Sequence, residues 1–278
     1  MKFTLKITQE NFKKAYQHAL GEAVQNTLIK GFRKGHAPND LVIKQVGEGS
    51  LVEHALNHAL PEAYIEEIKK RKLVPLTNPR FKPVTTAKDQ DWEFEVEIGQ
   101  RPQVTLGDYQ KAIKGLGATA KIWTPAQGKP DTKPEDKSQD EAQRLNRLFD
   151  ALLKTAKLEI PSLLLEEEVN HMLTSLLDQV SKLGMKIEDY ARAKNTTVEA
   201  IKAQYHSQAE ANLKLEFILQ EITKDLKIAV SQADLDAVLK DVTDKKARQQ
   251  LESPEEQSRI RAVLARRKTI DRLLSLSA

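Results

Sequence analysis

Asp91–Gly99 reads DWEFEVEIG, and its alternation decides the fold class. Trp92, Phe94, Val96 and Ile98 fall on one face, and Glu93, Glu95 and Glu97 on the other. A period of two with apolar and acidic faces belongs to a strand buried on one side and wet on the other. Lys2–Ile7, KFTLKI, alternates in the same way, with Phe3, Leu5 and Ile7 on its apolar side. Leu73–Val84, LVPLTNPRFKPV, is extended but broken by prolines, which confines it to a sheet edge.

Between these strands the period changes to helical. Thr8 stands as N-cap for a run to about Thr27 carrying Phe12, Ala15, Tyr16, Ala19, Ala23 and Val24. Pro38–Val46 predicts a short helix with proline near its first turn, where a missing N–H costs nothing. Gly47 and Gly49 break it, and Ser50 then caps a helix to about Lys72. Its apolar side holds Leu51, Ala55, Leu56, Ala59, Leu60, Tyr64, Ile65 and Ile68, and Pro61 should kink it or mark a tilt. Residues 1–114 thus form a small antiparallel sheet with helices packed on one face.

Residues 115–138, GLGATAKIWTPAQGKPDTKPEDKS, turn to Gly, Pro, Lys and Asp and predict a linker, with Trp123 as a local anchor. From Gln139 to the end, residues 139–278, every periodic segment is helical. Leu145, Leu148, Phe149, Leu152 and Leu153 line the first helix. Pro161 and Ser162 start the second, whose wide apolar side runs from Leu163 to Leu183 before Gly184 ends it. Thr196 and Glu199 suggest a capping box for a long helix to about Leu226. Ser231 with Asp234, and Ser253-Pro254-Glu255-Glu256, open two more. The expected class is α+β: a small sheet domain, then an all-α domain with long helical arms.

Composition narrows the function. The chain has 278 residues and no cysteine, so disulfides, thiol nucleophiles and cysteine-based zinc sites are excluded. Its 44 basic residues face 40 acidic ones, too balanced for a protein that lives by neutralising many phosphates. No stretch approaches the ~18 apolar residues of a membrane span, and MKFTLKITQENFKK has no apolar core of a signal peptide. A cytoplasmic protein without membrane partners is expected.

Few side chains suggest chemistry. His54 and His58 stand four apart on one helix face, a spacing that can hold a metal, but no third ligand is evident in the sequence. Gly47–Ser50, GEGS, lacks both the lysine and the preceding strand of a phosphate loop. Glu166–Glu168 fit the positive end of a helix without any further role. No catalytic residue, cofactor or metal is assigned. Lys30–Asp40, KGFRKGHAPND, differs: an aromatic between glycines, followed by two cations, is a compact binding device on a surface loop.

That loop is similar to the signature of the trigger factor family of ribosome-associated chaperones, G-F-R-x-G-x-x-P. Gly31, Phe32, Arg33, Gly35 and Pro38 match it. The C-terminal half resembles the same family through EIPSLLLEEEVNHML, LGMKIEDY, LKLEFILQEI and IAVSQADL. Family members typically carry an FKBP-type prolyl isomerase domain between the matching regions, and here only the linker stands there. The resemblance implies a short form, an ATP-independent binding protein and not an enzyme. It implies that Gly31, Phe32, Arg33, Lys34, Gly35 and Pro38 dock on a large-subunit ribosomal protein and adjacent rRNA at the exit tunnel. It also implies a cradle for unfolded nascent chains, placed at Leu164, Met172, Leu176, Leu177, Met185 and Phe217, and a homodimer when free. The alternatives are a ribosome-independent holdase and a residual peptidyl-prolyl isomerase.

Overall fold

The computed structural model describes residues 1–86, 90–120, 134–240, 251 and 253–276. They fall into two compact units: Met1–Arg101 with Pro161–Leu164, and Pro102–Ile160 with Leu165–Ala278.

The first unit holds a three-stranded antiparallel sheet. β1 (Lys2–Ile7) and β2 (Arg80–Thr85) flank the central β3 (Trp92–Glu97). In this register Leu5 faces Phe94, and Phe81 faces Val96. The strand that carries Pro83 is at the edge, where a missing N–H is tolerated. Phe3, Leu5, Ile7, Trp92, Phe94, Val96 and Ile98 are all buried on one face. Against them pack Phe12 and Ala15 of α1 (Gln9–Asn26), and Leu56, Leu60, Tyr64 and Ile68 of α3 (Glu48–Arg71). Phe12 stacks on Trp92 at 4.4 Å. The opposite sheet face carries cross-strand pairs: Lys6 Nζ lies 2.6 Å from Glu93 and Lys2 Nζ 3.4 Å from Glu95. The short α2 (Asn39–Val46) buries Val42 completely and completes the helical layer.

Two boundaries differ from expectation. Gly47, at φ +90°, both ends α2 and precedes α3, so α3 starts at Glu48 and Ser50 lies inside its first turn. The Leu51 N–H already donates to Gly47 O at 3.2 Å, so Ser50 comes too late to cap. Gly49 is helical and breaks nothing, and α3 continues through Pro61.

The second unit is helical: α4 (Tyr109–Ala120), α5 (Pro134–Thr155), α6 (Ser162–Lys182, from Leu165 onward), α7 (Ile187–Ala193), α8 (Val198–Asp225), α9 (Gln232–Lys240) and α10 (Pro254–Leu276). Its main core joins Tyr109 and Ile113 of α4, Leu148 and Leu152 of α5, Ile218, Leu219 and Ile222 of α8, and Leu273 of α10. For this reason the first unit ends at Arg101 and not near Lys114: the apolar side of α4 is buried with the later helices. Residues 115–120, expected in a linker, continue α4, and α5 already starts at Pro134. Trp123 lies outside the described residues.

A smaller core joins Leu176 and Val180 of α6 to Ala191 of α7 and Ile201 of α8. The cap of α8 is Thr197, whose hydroxyl accepts the Ala200 N–H at 3.1 Å. Thr196 is used otherwise: beside Asn195, at φ +52°, its N–H donates to Ala191 O and closes α7. With 28 residues α8 is ~42 Å long. Ser231 and Asp234 form the expected reciprocal cap at α9, and Ser253 Oγ accepts from the Glu256 N–H at α10. Among the described residues no helix is long and apolar enough to cross a membrane.

Candidate functional site

The segment between α1 and α2 is built from two consecutive tight turns. In the first, Phe32 N–H donates to Ile29 O at 3.1 Å and Gly31 occupies the third position at φ +93°. In the second, His36 N–H donates to Arg33 O at 3.0 Å and Gly35 occupies the third position at φ +85°. A type II turn demands positive φ at that place, where a side chain strains the backbone. The two glycines therefore set a double turn, and Phe32 and Arg33 are the residues presented between its halves.

Both ends of this loop are fastened. Thr27 N–H closes the last turn of α1 on Ala23 O at 2.8 Å, and Gln45 Nε2 of α2 donates to Leu28 O at 3.2 Å. Ala37 is buried, Pro38 caps α2 with its fixed φ of −58°, and Val42 anchors that helix beneath. What remains outside is Phe32, 41% exposed, with Arg33 and Lys34 also exposed. Neither cation has an ion-pair partner among the described residues. An exposed phenyl ring held on an ordered loop beside two available cations is an apolar anchor with polar surroundings.

Two neighbours were not singled out in the sequence. Leu28, 72% exposed, precedes the first turn, and Leu41, 38% exposed, follows Pro38. Leu28 falls just after the apolar stripe of α1 ends, which was the available signal. The double turn is thus flanked by further apolar surface.

The cradle residues separate into two groups. Leu177 and Met185 are exposed, at 48% and 37%, and Leu164 and Met172 are half-buried. Leu176 and Phe217 are buried, at 5% and 6%, and so are closed to a client in this conformation. Leu183 and Val263, 70% and 66% exposed, add apolar surface just beyond α6 and on α10. A cavity of about 620 Å³ in the second unit is lined by Thr105, Lys157, Glu159 and Lys214 among others, without a nucleophile–histidine–acid set.

The family model described as bacterial trigger factor protein matches residues 1–119. A second, for the C-terminus of the same family, matches residues 129–275. This chain belongs to the trigger factor family. Residues 120–128 are all that lie between the two matches, too few for even a small domain of ~50 residues. It is a short form with no room there for the isomerase domain of its relatives. The trigger factor of Lactobacillus gasseri is 37% identical over 107 residues, which are 38% of this chain and 24% of that protein. That of Limosilactobacillus fermentum is 32% identical over 140 residues, 50% of this chain and 31% of its own. The Streptococcus mutans trigger factor is 36% identical over 107 residues, 38% and 25% of the two chains. Each match thus spans about a quarter to a third of the relative's length. A solved structure, reported for promiscuous substrate recognition in folding and assembly by the trigger factor chaperone, superposes with a TM-score of 0.64. It covers 100% of this chain and 97% of its own at 12% identity, so the trigger factor fold is shared over the full length.

Proposed function

We propose that this protein is an ATP-independent cytoplasmic chaperone that docks on the ribosome through Gly31–Pro38 and holds unfolded nascent chains on its C-terminal helices. The observation that carries this reading is the double turn presenting Phe32, with Arg33 and Lys34 solvent-exposed and unpaired among the described residues. Phe32 enters an apolar recess of a large-subunit protein, and the two cations meet carboxylate or rRNA phosphate. Leu28 and Leu41 widen the apolar contact. On the client side, Leu177, Leu183, Met185 and Val263 offer separate apolar contacts, and Leu164 and Met172 are half-buried. Side chains of this kind take up varied apolar segments without sequence preference. Weak contacts release without ATP, since a micromolar complex amounts to only ~8 kcal/mol. Holding delays burial of the client's apolar surface and needs no reacting group, so the protein acts as a binder and not an enzyme.

Replacing Phe32, Arg33 and Lys34 together by alanine should abolish co-sedimentation with ribosomes and leave the melting temperature unchanged. A triple variant that still pellets at normal occupancy contradicts the loop assignment. The wild-type interaction should weaken as salt screens the two cations.

A further inference from the structure

Half of the chain's six histidines meet at one place. His18 and Glu22 stand one turn apart on α1, and His54 and His58 one turn apart on α3. The helices run antiparallel there and bring the two pairs face to face. His58 Nε2 lies 3.5 Å and His54 Nε2 3.6 Å from Glu22 Oε2, and His18 Nδ1 lies 3.8 Å from Glu22 Oε1. The His18 and His58 rings meet edge to face at 5.0 Å, and those of His54 and His58 at 5.2 Å. One donor atom each from His18, Glu22 and His58 falls within a sphere in which all separations are below 4.8 Å.

These separations are too long for hydrogen bonds, which span ~2.7–3.2 Å. They are close to what a metal requires. Ligand atoms ~2.0–2.1 Å from a tetrahedral ion stand about 3.4 Å from one another. The donor atoms of His18, Glu22 and His58 lie within 4.8 Å of one another and His54 Nε2 stands 3.6 Å from Glu22, and because the side chains are between 39% and 61% exposed, rotamers are free to draw them together around an ion. A groove of about 370 Å³ lined by His18 and His58 gives an ion a route in.

We propose that His18, Glu22 and His58, with His54 as fourth donor, bind a first-row divalent transition-metal ion, zinc foremost. Three imidazoles and one carboxylate suit zinc and its neighbours. Calcium and magnesium prefer oxygen-only sets with more ligands, and one carboxylate does not supply them. The bound ion clips α1 to α3. Glu22 is one turn from the end of α1 at Asn26, so the clip stiffens the base of the loop that follows.

The test uses the tag-free full chain and Co²⁺ as a visible probe, followed by displacement with Zn²⁺. The expected result is saturation at one ion per chain with the intense visible absorption of a four-coordinate site, and a rise in melting temperature with Zn²⁺. His18→Ala with His58→Ala should abolish both effects. His54→Ala should weaken binding by about 10- to 100-fold, at least the loss that follows removal of an outer-shell partner. A triple His36→Ala, His171→Ala, His206→Ala variant retains the site and should bind as wild type. The proposal is overturned if no saturable Co²⁺ binding occurs, or if the His18/His58 double variant binds as tightly as wild type. Because these side chains are exposed, the double variant should melt like the metal-free wild type, which separates loss of the site from loss of the fold.

Discussion

Gly35→Ala isolates the conformational part of the proposed ribosome docking. The glycine sits at φ +85°, and a Cβ built there meets no atom within 4 Å. No contact is lost and no clash is created, so the cost is that of the backbone alone, about 1–2 kcal/mol for an L-residue in left-handed conformation. Because the loop lies outside both cores, the strain is relieved by local opening of the turn. The fraction of molecules holding the docking conformation then falls about 5- to 30-fold relative to opened forms. The apparent dissociation constant rises by up to the same factor, while the global melting temperature hardly changes. Gly21→Ala is the matched control. Gly21 is inside α1 with equally empty surroundings, so alanine should raise stability by about 0.5–1 kcal/mol and leave ribosome affinity unaltered. The assay is a ribosome titration of labelled protein read by anisotropy, paired with thermal unfolding. Wild-type affinity in Gly35→Ala would refute the idea that the double turn prepares Phe32 and Arg33 for binding.

Other parts of the structure make sharper demands on stability. A Cβ on Gly99 would fall 2.6 Å from Cγ2 of the buried Thr77, whose Oγ1 accepts the Gly99 N–H at 2.8 Å; Gly99→Ala should cost about 1–3 kcal/mol in urea unfolding. Leu177→Ser with Met185→Ser should reduce suppression of client aggregation with stability within about 0.5 kcal/mol, whereas Leu176→Ala, at a buried position, should cost about 2–5 kcal/mol in the same unfolding assay. The hydrogen bond from Lys268, followed by those from Ser231, lowers the Asp234 carboxyl to about 2 from an ordinary 3.8. Between those values the unfolded chain binds the proton and the folded one does not, so the stability this carboxylate adds is full above 3.8 and is lost as pH falls through about 2. Melting curves of wild type and Asp234→Asn should therefore converge across that window and differ by a constant amount above it. A proline-limited refolding assay should show no rate acceleration at catalytic concentrations of the protein.

Local chemistry was legible wherever one residue or one period decides the outcome. The alternation of β1 and β3, the caps at Thr8, Ser231 and Ser253, and the glycines of the loop could all be read from neighbours a few residues apart. Apart from the start of α3, where Gly47 takes the place expected of Ser50, most of what could not be read depended on partners distant in sequence. Tyr109 and Ile113 follow directly on the sheet region, yet they are buried with residues from Leu148 onward. Leu176 and Leu177 are indistinguishable as members of a wide apolar stripe; only the packing of α7 and α8 buries one and leaves the other in water. His54 and His58 lacked a third ligand because Glu22 and His18 come from a different helix, and the antiparallel pairing of α1 with α3 is a tertiary fact. The one-residue error at Thr196 is local: two threonines compete for one cap, and the preceding helix claims the first through Ala191 O.

The division of labour between loop and helices is tested most directly by photo-crosslinking on translating ribosomes, with one probe replacing Phe32 and another replacing Leu177. The Phe32 position should crosslink to a large-subunit protein beside the exit tunnel irrespective of the nascent sequence. The Leu177 position should crosslink to the nascent chain, more strongly when an apolar segment is emerging. Crosslinks from position 32 to the nascent chain alone, with none to the ribosome, would contradict ribosomal docking through Gly31–Pro38.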